Sequence, residues 1–234
     1  MISVLMPVYN TKSEYLFEAI KSTLFQSIAN YEVIVVDNES TNKDTLHVLN
    51  NFSNNEKVKI FKCLRQEGRN NISIALNHGL NQCKYDLVAR MDSDDIMLYD
   101  RLEKQFNYMT ENIDVDILGA QIKVFPDGYV TNHPKIITND IALNSSWFLN
   151  HPTIVYRKDK ILDIGGYSDM PEHGAEDYKL WMTAFRSGLV IRNMPDVVLH
   201  YRSHGQNLTR KREKHQSYYK SIEDEKQKLV EHLK

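Results

Sequence analysis

The sequence is poor in the features that mark several large protein classes. Its two cysteines, Cys63 and Cys83, lie in separate segments without Cys-x-x-Cys spacing, so they indicate neither a disulfide framework nor a zinc site. No run approaches the roughly 20 apolar residues that a helix needs to cross a bilayer. The N-terminus lacks the basic and long apolar regions of a signal peptide, so the expected location is the cytoplasm.

An excess of one charge is also lacking. The 29 Lys and Arg residues nearly balance the 31 Asp and Glu residues, which leaves a formal net charge of −2. No global field therefore attracts nucleic acid, and nucleic acid is not an expected partner. The content of 41% hydrophobic and 26% charged residues is typical of a globular protein, and 234 residues are enough for one substantial core.

Apolar segments alternate with amphipathic segments over the first part of the chain. The predicted strands are residues 2–6, which Pro7 ends, then 31–36, 58–61 and 85–91. The predicted helices are residues 13–26, with Ser13 as the cap, then 43–52 and 72–80. Strand and helix in alternation predict an α/β fold, with a mostly parallel sheet covered by helices on both faces.

The second half is less regular. It predicts helices at residues 101–109, with Asp100 as the cap, and at residues 146–149 and 176–187. A further short helix is predicted to begin at Asp159, which would cap it. The second half also predicts strands at residues 116–125, 153–156, 190–192 and 197–201. The last stretch, from about residue 210, is charged and predicted to be helical.

Polar segments follow each of the first four predicted strands. They are residues 7–10, 37–38, 69–71 and 92–94. In an open parallel sheet, ligands bind beyond the carboxyl ends of the strands. The sequence therefore predicts a ligand site where these four segments meet.

Asp92, Asp94 and Asp95 place three carboxylates within four residues of one another, directly after a predicted buried strand. Such a cluster repels itself unless a cation lies against it. Asp and Ser are also ordinary turn residues, so a solvated acidic turn is the alternative to a metal site.

Eight segments of the chain resemble those of the family 2 glycosyltransferases, in order and with similar spacing over roughly residues 1–208. They are Pro7-Val8-Tyr9-Asn10, Val36-Asp37-Asn38-Glu39-Ser40-Thr41, Ala75-Leu76-Asn77-His78-Gly79, Ala89-Arg90-Met91-Asp92-Ser93-Asp94-Asp95, Asn150-His151-Pro152-Thr153, Ile164-Gly165-Gly166-Tyr167, Glu176-Asp177-Tyr178-Lys179-Leu180-Trp181 and Tyr201-Arg202-Ser203-His204. The resemblance implies the GT-A fold, a Rossmann-like αβα sandwich with a mostly parallel central sheet. It also implies inverting transfer of a sugar from a nucleotide donor, usually a UDP-sugar, with Mn²⁺ or Mg²⁺.

The resemblance assigns the acidic cluster to the metal and the diphosphate. Asp94 would ligate the metal, and Asp92 would lie near both metal and ribose, with Ser93 between them in the nucleotide site. Asp95 either contacts the site or makes a salt bridge or cap for the next loop. His204 would complete the metal shell or contact the diphosphate, unless it is a hydrogen-bonded structural residue.

The same resemblance places the nucleotide on three other loops. Tyr9, with Pro7 and Asn10 in its loop, would stack on the uracil ring, and Asp37 and Asn38 would hydrogen-bond the base. Many relatives carry two aspartates where this chain has Asp37 and Asn38, but an Asn amide can accept from uracil N3–H and donate to O4. Arg69 would either pair with a phosphate or cover a loop.

Asp177 matches the family's general base, which takes the proton from the acceptor hydroxyl in an inverting transfer. Without the resemblance, a carboxylate that the helix dipole favours in the first turn explains Asp177 equally well. The neighbouring Glu176 has that same explanation.

The predicted organisation is one glycosyltransferase domain, residues 1–208, followed by a charged helical tail, 209–234. Residues 1–98 form its nucleotide-binding half and 99–208 its acceptor-binding half. Basic residues at 210–214, followed by Tyr218 and Tyr219, either touch the inner membrane from the cytoplasm or belong to a solvated helix.

The leading hypothesis is a metal-dependent transferase of bacterial surface-polysaccharide, or O-antigen, biosynthesis. It would move glucose or galactose from a UDP-sugar to a hydroxyl of a glycan or of a diphosphate-lipid-linked sugar. One alternative is a nucleotidyltransferase, which would be expected to have a glycine-rich loop after the first strand, where residues 7–10 contain no glycine. The other is a catalytically silent protein that binds sugar nucleotides.

Overall fold

The computed structural model describes residues 1–168, 170–171, 175–205, 207 and 215–234. An eight-stranded sheet runs through it in the order β3-β2-β1-β4-β7-β6-β8-β5. The strands are β1 Ile2–Val8, β2 Tyr31–Asp37, β3 Val58–Lys62, β4 Leu87–Arg90, β5 Ile96–Met97, β6 Ile117–Phe125, β7 Val155–Arg157 and β8 Ile191–Arg202. The helices are α1 Ser13–Leu24, α2 Lys43–Phe52, α3 Asn71–Gln82, α4 Arg101–Glu111, α5 Asn139–Asn144, α6 Lys158–Asp163, α7 Glu176–Arg186 and α8 Gln216–His232.

The mostly parallel sheet predicted from the sequence is confirmed. β3, β2, β1 and β4 are parallel neighbours, and β6 and β8 are parallel to each other. β7 runs antiparallel between β4 and β6, and the short edge strand β5 runs antiparallel to β8. Because β7 reverses direction, its amino end lies beside the carboxyl end of β4.

β1 continues through Pro7 to Val8, where the sequence predicted an end before Pro7. A proline lacks the N–H that a central strand donates to its neighbour. β4 pairs with β1 only as far as Leu5, opposite Arg90, so on that side no strand partner is left for Pro7. The strand therefore accommodates Pro7 and ends at the edge where the polar loops begin.

Helices cover both faces of the sheet, and successive residues of β1 point to opposite cores. Val4 and Met6 join the core beneath α1, α2 and α4. Leu5 joins the core that contains side chains of α3, α6, α7 and α8. This two-sided burial explains why β1 and β2 are buried along their whole length.

Gly79 is where α3 packs most closely on the sheet. A Cβ at this position would lie 2.2 Å from Leu5 Cδ1 and 2.7 Å from Val36 Cγ2. We expect Gly79→Ala to lower the free energy of unfolding by about 1–3 kcal/mol, because the added methyl overpacks the core. Urea denaturation measures the change. Gly205→Ala is the control, because a Cβ there would meet no atom of the described residues within 4 Å. An unchanged or higher stability of Gly79→Ala would contradict this packing.

Two helix caps predicted from the sequence are wrong. Ser13 is the first residue of α1, whose N-cap position is Lys12. Asp100 does occupy the N-cap position of α4 as predicted, but its carboxylate pairs with Lys104 at 2.9 Å and makes no capping hydrogen bond. Asp159 lies inside α6, whose preceding residue is Arg157. An asparagine caps the second helix: the Asn42 side chain accepts from two backbone N–H groups.

The second half departs from its predicted elements. Residues 146–149 are not helical; the helical pieces here are α5 and a 3-10 turn at His151–Thr153. The two strands predicted at 190–192 and 197–201 are one strand, β8. The register of β8 against β6 shifts around Gln121, and this irregularity accommodates Pro195 without ending the strand.

The C-terminal helix α8 packs on the body of the protein. Ile222 and Leu229 are buried in the core, and Arg186 of α7 contacts Glu225 at 2.8 Å. The helix is therefore not solvated on all sides. The basic segment 210–214 lies outside the described residues. Among the helices that the structure describes, none combines the length and apolar character that crossing a bilayer requires.

Candidate active site

The carboxyl ends of β1, β2 and β4 meet at one edge of the sheet, as the chain order predicts. Asn38 N–H donates to the Val8 carbonyl at 2.8 Å, which joins the loops after β2 and β1. Arg90 N–H donates to the Ile154 carbonyl at 2.9 Å, which brings the segment before β7 to the end of β4. The loops that follow these strands form the candidate site.

Three carboxylates converge after β4. One oxygen each from Asp92, Asp94 and Asp95 lies within 4.8 Å of the others. Asp95 is fully buried; its Oδ1 accepts the Arg202 backbone N–H at 2.8 Å, while its Oδ2 has no hydrogen-bond partner among the described residues. Burial, together with the neighbouring carboxylates, raises the pKa of Asp94 and of Asp95.

This donor set fits a divalent cation. All three candidate ligands are hard oxygen donors, which Mg²⁺ and Mn²⁺ prefer. A cation there would satisfy the orphaned Asp95 oxygen and offset the repulsion that raises the two pKa values. The sequence left Asp95 either in the site or in a salt bridge or cap for the next loop; in the structure one of its oxygens lies within 4.8 Å of oxygens of Asp92 and Asp94.

Two buried arginines lie behind the cluster. The Arg90 guanidinium contacts Asp92 Oδ2 at 2.5 Å. Arg101, fully buried at the start of α4, donates to the Arg90 carbonyl at 2.7 Å and to Gln105 at 2.9 Å. Burial, with the nearby Arg90 charge, lowers the pKa of Arg101 to about 9. These cations offset part of the negative charge and hold the end of β4 in place.

The end of β8 closes the other side of the cluster. His204 Nε2 lies 2.8 Å from Asp94 Oδ2, and the His204 ring packs on Tyr15 with centroids 5.3 Å apart. Arg202 donates through Nε to the Asp94 carbonyl at 2.8 Å and also pairs with Glu18. His204 thus reaches the cluster through Asp94, in a position that suits either a metal ligand or a hydrogen-bonding partner.

Ser93 joins the acidic loop to the loop after β1. Its hydroxyl lies 2.6 Å from the Thr11 hydroxyl, and the Thr11 carbonyl accepts from Thr45 at 2.8 Å. Thr11 was not among the predicted site residues. A hydroxyl two positions after Pro-Val-Tyr carries no signal of its own in the sequence.

The predicted base site lies on the loops after β1 and β2. Tyr9 is 46% exposed. Asp37 and Asn38 are both buried, and Asp37 Oδ1 accepts the Ser40 N–H at 2.9 Å. Arg65, which the sequence did not single out, lies with its guanidinium carbon 3.7 Å from the Tyr9 ring centroid.

Asn10 holds these two loops together. Its backbone adopts a φ of +48°, a region that asparagine tolerates better than most residues. Its side-chain oxygen accepts the N–H groups of Thr41 and Asn42, both at 2.8 Å. In this structure Asn10 therefore connects the loops that present Tyr9 and Asp37.

The loop after β3 contacts the start of α7. Arg69 forms an isolated backbone bridge with Pro171, and Asn70 N–H donates to the Met170 carbonyl at 2.8 Å. The Asn70 side chain donates to Glu176 Oε2 at 3.0 Å, and both residues are buried. Glu176 thus has a structural partner far away in the sequence.

Asp177 lies in the first turn of α7, half-buried, and its Oδ1 accepts the Tyr178 N–H at 2.8 Å. Burial raises the pKa of the Tyr167 hydroxyl; the Arg90 charge opposes that rise, and Glu176 and Asp177 add to it.

Comparison with known proteins identifies the fold and the family. The profile described as Glycosyl transferase family 2 matches residues 3–167. The chain belongs to glycosyl transferase family 2. The O-antigen biosynthesis glycosyltransferase WbnJ of Escherichia coli is 34% identical over 217 residues, which cover 88% of this chain and 81% of WbnJ.

The match to a second relative also covers most of both chains. The UDP-Gal:alpha-D-GlcNAc-diphosphoundecaprenol beta-1,3-galactosyltransferase of E. coli is 34% identical over 209 residues, 86% of this chain and 73% of that enzyme. Among solved structures, TarS residues 1–349 of S. aureus has a TM-score of 0.74 at 23% identity. It aligns over 89% of this chain, whereas the chain spans 60% of that TarS structure. The predicted GT-A fold is confirmed.

The family 2 assignment makes this chain a glycosyltransferase. From the sequence, His151 either shapes the acceptor loop or packs, and the structure shows it buried. His151 Nε2 lies 2.9 Å from the Tyr167 hydroxyl, and the His151 ring packs edge-on against Trp181 with centroids 5.7 Å apart. His151 therefore packs in the core.

Proposed function

We propose that this family 2 enzyme transfers glucose or galactose, with inversion, from a UDP-sugar to a hydroxyl of a glycan or diphosphate-lipid-linked acceptor. The observation that carries the proposal is the group Asp92, Asp94 and Asp95, with one orphaned buried oxygen, on the same sheet edge as the exposed Tyr9. Such an edge offers a cation site for a diphosphate and an aromatic face for a base.

Particular residues of the chain would bind the metal and the base. Asp94, Asp92 and Asp95 would hold Mn²⁺ or Mg²⁺, with His204 as an additional ligand or as the partner that orients Asp94. When bound, the metal neutralises the charge that develops on the diphosphate leaving group. Tyr9 stacks on the base.

Catalysis and nucleotide binding need further groups. Asp37 and Asn38 bind the edge of the base, Ser93 and Arg69 line the nucleotide site, and Asp177 accepts the proton of the attacking hydroxyl. Pro7 and Asn10 shape the loop that presents Tyr9.

The relatives support the class of acceptor and donor. WbnJ is named for O-antigen biosynthesis, AmsE of Erwinia amylovora for amylovoran biosynthesis, and the E. coli galactosyltransferase for UDP-Gal and a diphosphoundecaprenol-linked sugar. TarS has been solved with UDP-GlcNAc and with UDP. We propose a role in bacterial surface-polysaccharide synthesis, at the cytoplasmic face of the inner membrane.

We propose the same domain division as the sequence predicts. Residues 1–98 carry the nucleotide site, residues 99–208 the acceptor half, and residues 209–234 the tail. Support for a membrane contact by the tail rests on its sequence, because the basic segment 210–214 lies outside the described residues. Family membership argues against a nucleotidyltransferase, and turnover distinguishes an enzyme from a silent binding protein.

A donor screen tests the proposal. We expect UDP release from UDP-glucose or UDP-galactose with a diphosphate-lipid acceptor analogue and Mn²⁺ or Mg²⁺. We expect no release after EDTA treatment, because the carboxylates are negative like the diphosphate and cannot neutralise it without a metal ion. The anomeric configuration of the product, read by NMR, reports inversion. Preference for a GDP- or dTDP-sugar, or full activity in EDTA, would overturn the donor or the metal assignment. Binding of UDP-sugars without turnover on any acceptor would favour the silent protein.

A further inference from the structure

The Arg65 guanidinium lies against one face of the Tyr9 ring. The guanidinium carbon lies 3.7 Å from the ring centroid, about the distance at which two flat groups are in contact. An aromatic base and a guanidinium both bind through the face of a tyrosine ring. The two groups cannot share this face at this distance.

Arg65 also hydrogen-bonds the side-chain oxygen of Asn38. Its NH1 donates to Asn38 Oδ1 at 3.2 Å, while Asn38 Nδ2 donates to the Cys63 carbonyl at 3.1 Å. Because a carbonyl oxygen only accepts, the Cys63 contact assigns the orientation of the Asn38 amide: nitrogen inward, oxygen toward Arg65. A base in place of Arg65 would therefore meet a hydrogen-bond acceptor.

A cavity lies beside Arg65. Arg65 lines a cavity of about 280 Å³ together with Gln66, Glu67, Gly68 and Asn71. The Arg65 backbone is anchored, since its N–H donates to Glu39 Oε2 at 2.7 Å. A displaced Arg65 side chain would have this cavity to enter while its backbone stays anchored.

We propose that Arg65 is a specificity-determining residue of the donor-base site. In the absence of donor its guanidinium contacts Tyr9 and Asn38, and a base with a ring N–H displaces it from both. The inference rests on the proposed function and specifies its donor. Uracil offers N3–H to Asn38 Oδ1, whereas cytosine presents a ring nitrogen that is itself an acceptor, so UDP binds more tightly than CDP.

Because the Asn38 side chain is neutral, a base can displace Arg65 from it. An arginine bound to a neutral amide is held less tightly than one bound to a carboxylate, where the hydrogen bond is charge-assisted. Asn38→Asp would therefore hold Arg65 in the base site. Removing the guanidinium would undo that effect.

Calorimetric titration of UDP and CDP in the presence of Mg²⁺ tests the inference in the full chain. We expect Arg65→Met to bind UDP about fivefold more tightly, since the base no longer displaces a cation–π contact and a hydrogen bond. We expect Asn38→Asp to bind UDP about tenfold more weakly, and the double variant to recover to within about twofold of Arg65→Met. Lys62→Met, an exposed loss of the same charge, is expected to stay within about twofold of the wild type.

Two results overturn the inference. Weaker UDP binding by Arg65→Met would mean that Arg65 contacts the donor, and additive effects in the double variant would mean that Arg65 and Asn38 act separately. In either case UDP binding by the wild type leaves the proposed function standing. A wild-type chain that binds neither UDP nor CDP overturns the inference and the proposed donor together.

Discussion

Asp94→Asn is expected to lower kcat/KM for sugar transfer by about a thousandfold or more, since it removes a charged ligand from the proposed metal site. One carboxylate oxygen of Asp94 lies within 4.8 Å of one oxygen from each of Asp92 and Asp95, and Asp94 Oδ2 is 2.8 Å from His204 Nε2. Asparagine keeps the shape of the side chain but not its charge. The loss therefore reports charge rather than packing.

Stability separates this loss from misfolding. Burial and the neighbouring carboxylate raise the pKa of Asp94, which means that its charged form is disfavoured in the folded, metal-free protein. Such a group destabilises the fold fully above its raised folded-state pKa, and the destabilisation declines as the pH falls through that pKa toward the lower pKa of the unfolded chain. The metal-free Asp94→Asn variant should thus melt no lower than the wild type at neutral pH.

The measurements are steady-state UDP release, Mn²⁺ titration by calorimetry and thermal melting with EDTA. Asp114→Asn makes the same chemical change at an exposed position and should leave all three unchanged. Transfer by Asp94→Asn at more than about a tenth of the wild-type rate would rule out Asp94 as an essential metal ligand.

Asp177→Asn is expected to lower kcat for transfer by about 10²–10⁴-fold while UDP-sugar affinity stays within about twofold, because a general base acts on the acceptor and not on the donor. Asp177 is half-buried in the first turn of α7. The neighbouring Glu176 is buried and bonded to Asn70, which leaves Asp177 as the more accessible carboxylate of the pair.

The competing explanation for Asp177 is the helix dipole, and Asp159 provides the matched control. Asp159 is the acidic residue in the first turn of α6. If the first-turn charge alone matters, both Asp→Asn changes should cost up to about 1 kcal/mol of stability and leave kcat unchanged. A general base predicts a loss of kcat at Asp177 alone, together with loss of the acidic limb of the pH–rate profile. An unchanged kcat and profile in Asp177→Asn would eliminate it as the base.

Much of the fold follows from local sequence. The nearly continuous β-branched run at residues 31–36 predicts a strand covered on both faces, and β2 is buried throughout. The order of strands and helices then places the loops after β1, β2 and β4 on one edge. The second half was harder to predict, since Pro195 looks like a break until the irregular pairing with β6 accommodates it.

The chain order by itself determined that Tyr9, Asp37 and the Asp92–Asp94–Asp95 cluster share one edge, because parallel strands with right-handed crossovers bring their carboxyl ends together. Only the tertiary structure decided which polar groups are already engaged. Asn70 with Glu176, and Arg202 with Asp95, are separated by more than a hundred residues and meet only through packing. For the same reason the sequence could not show that Arg65 lies on Tyr9, since that contact depends on how two loops fold against each other.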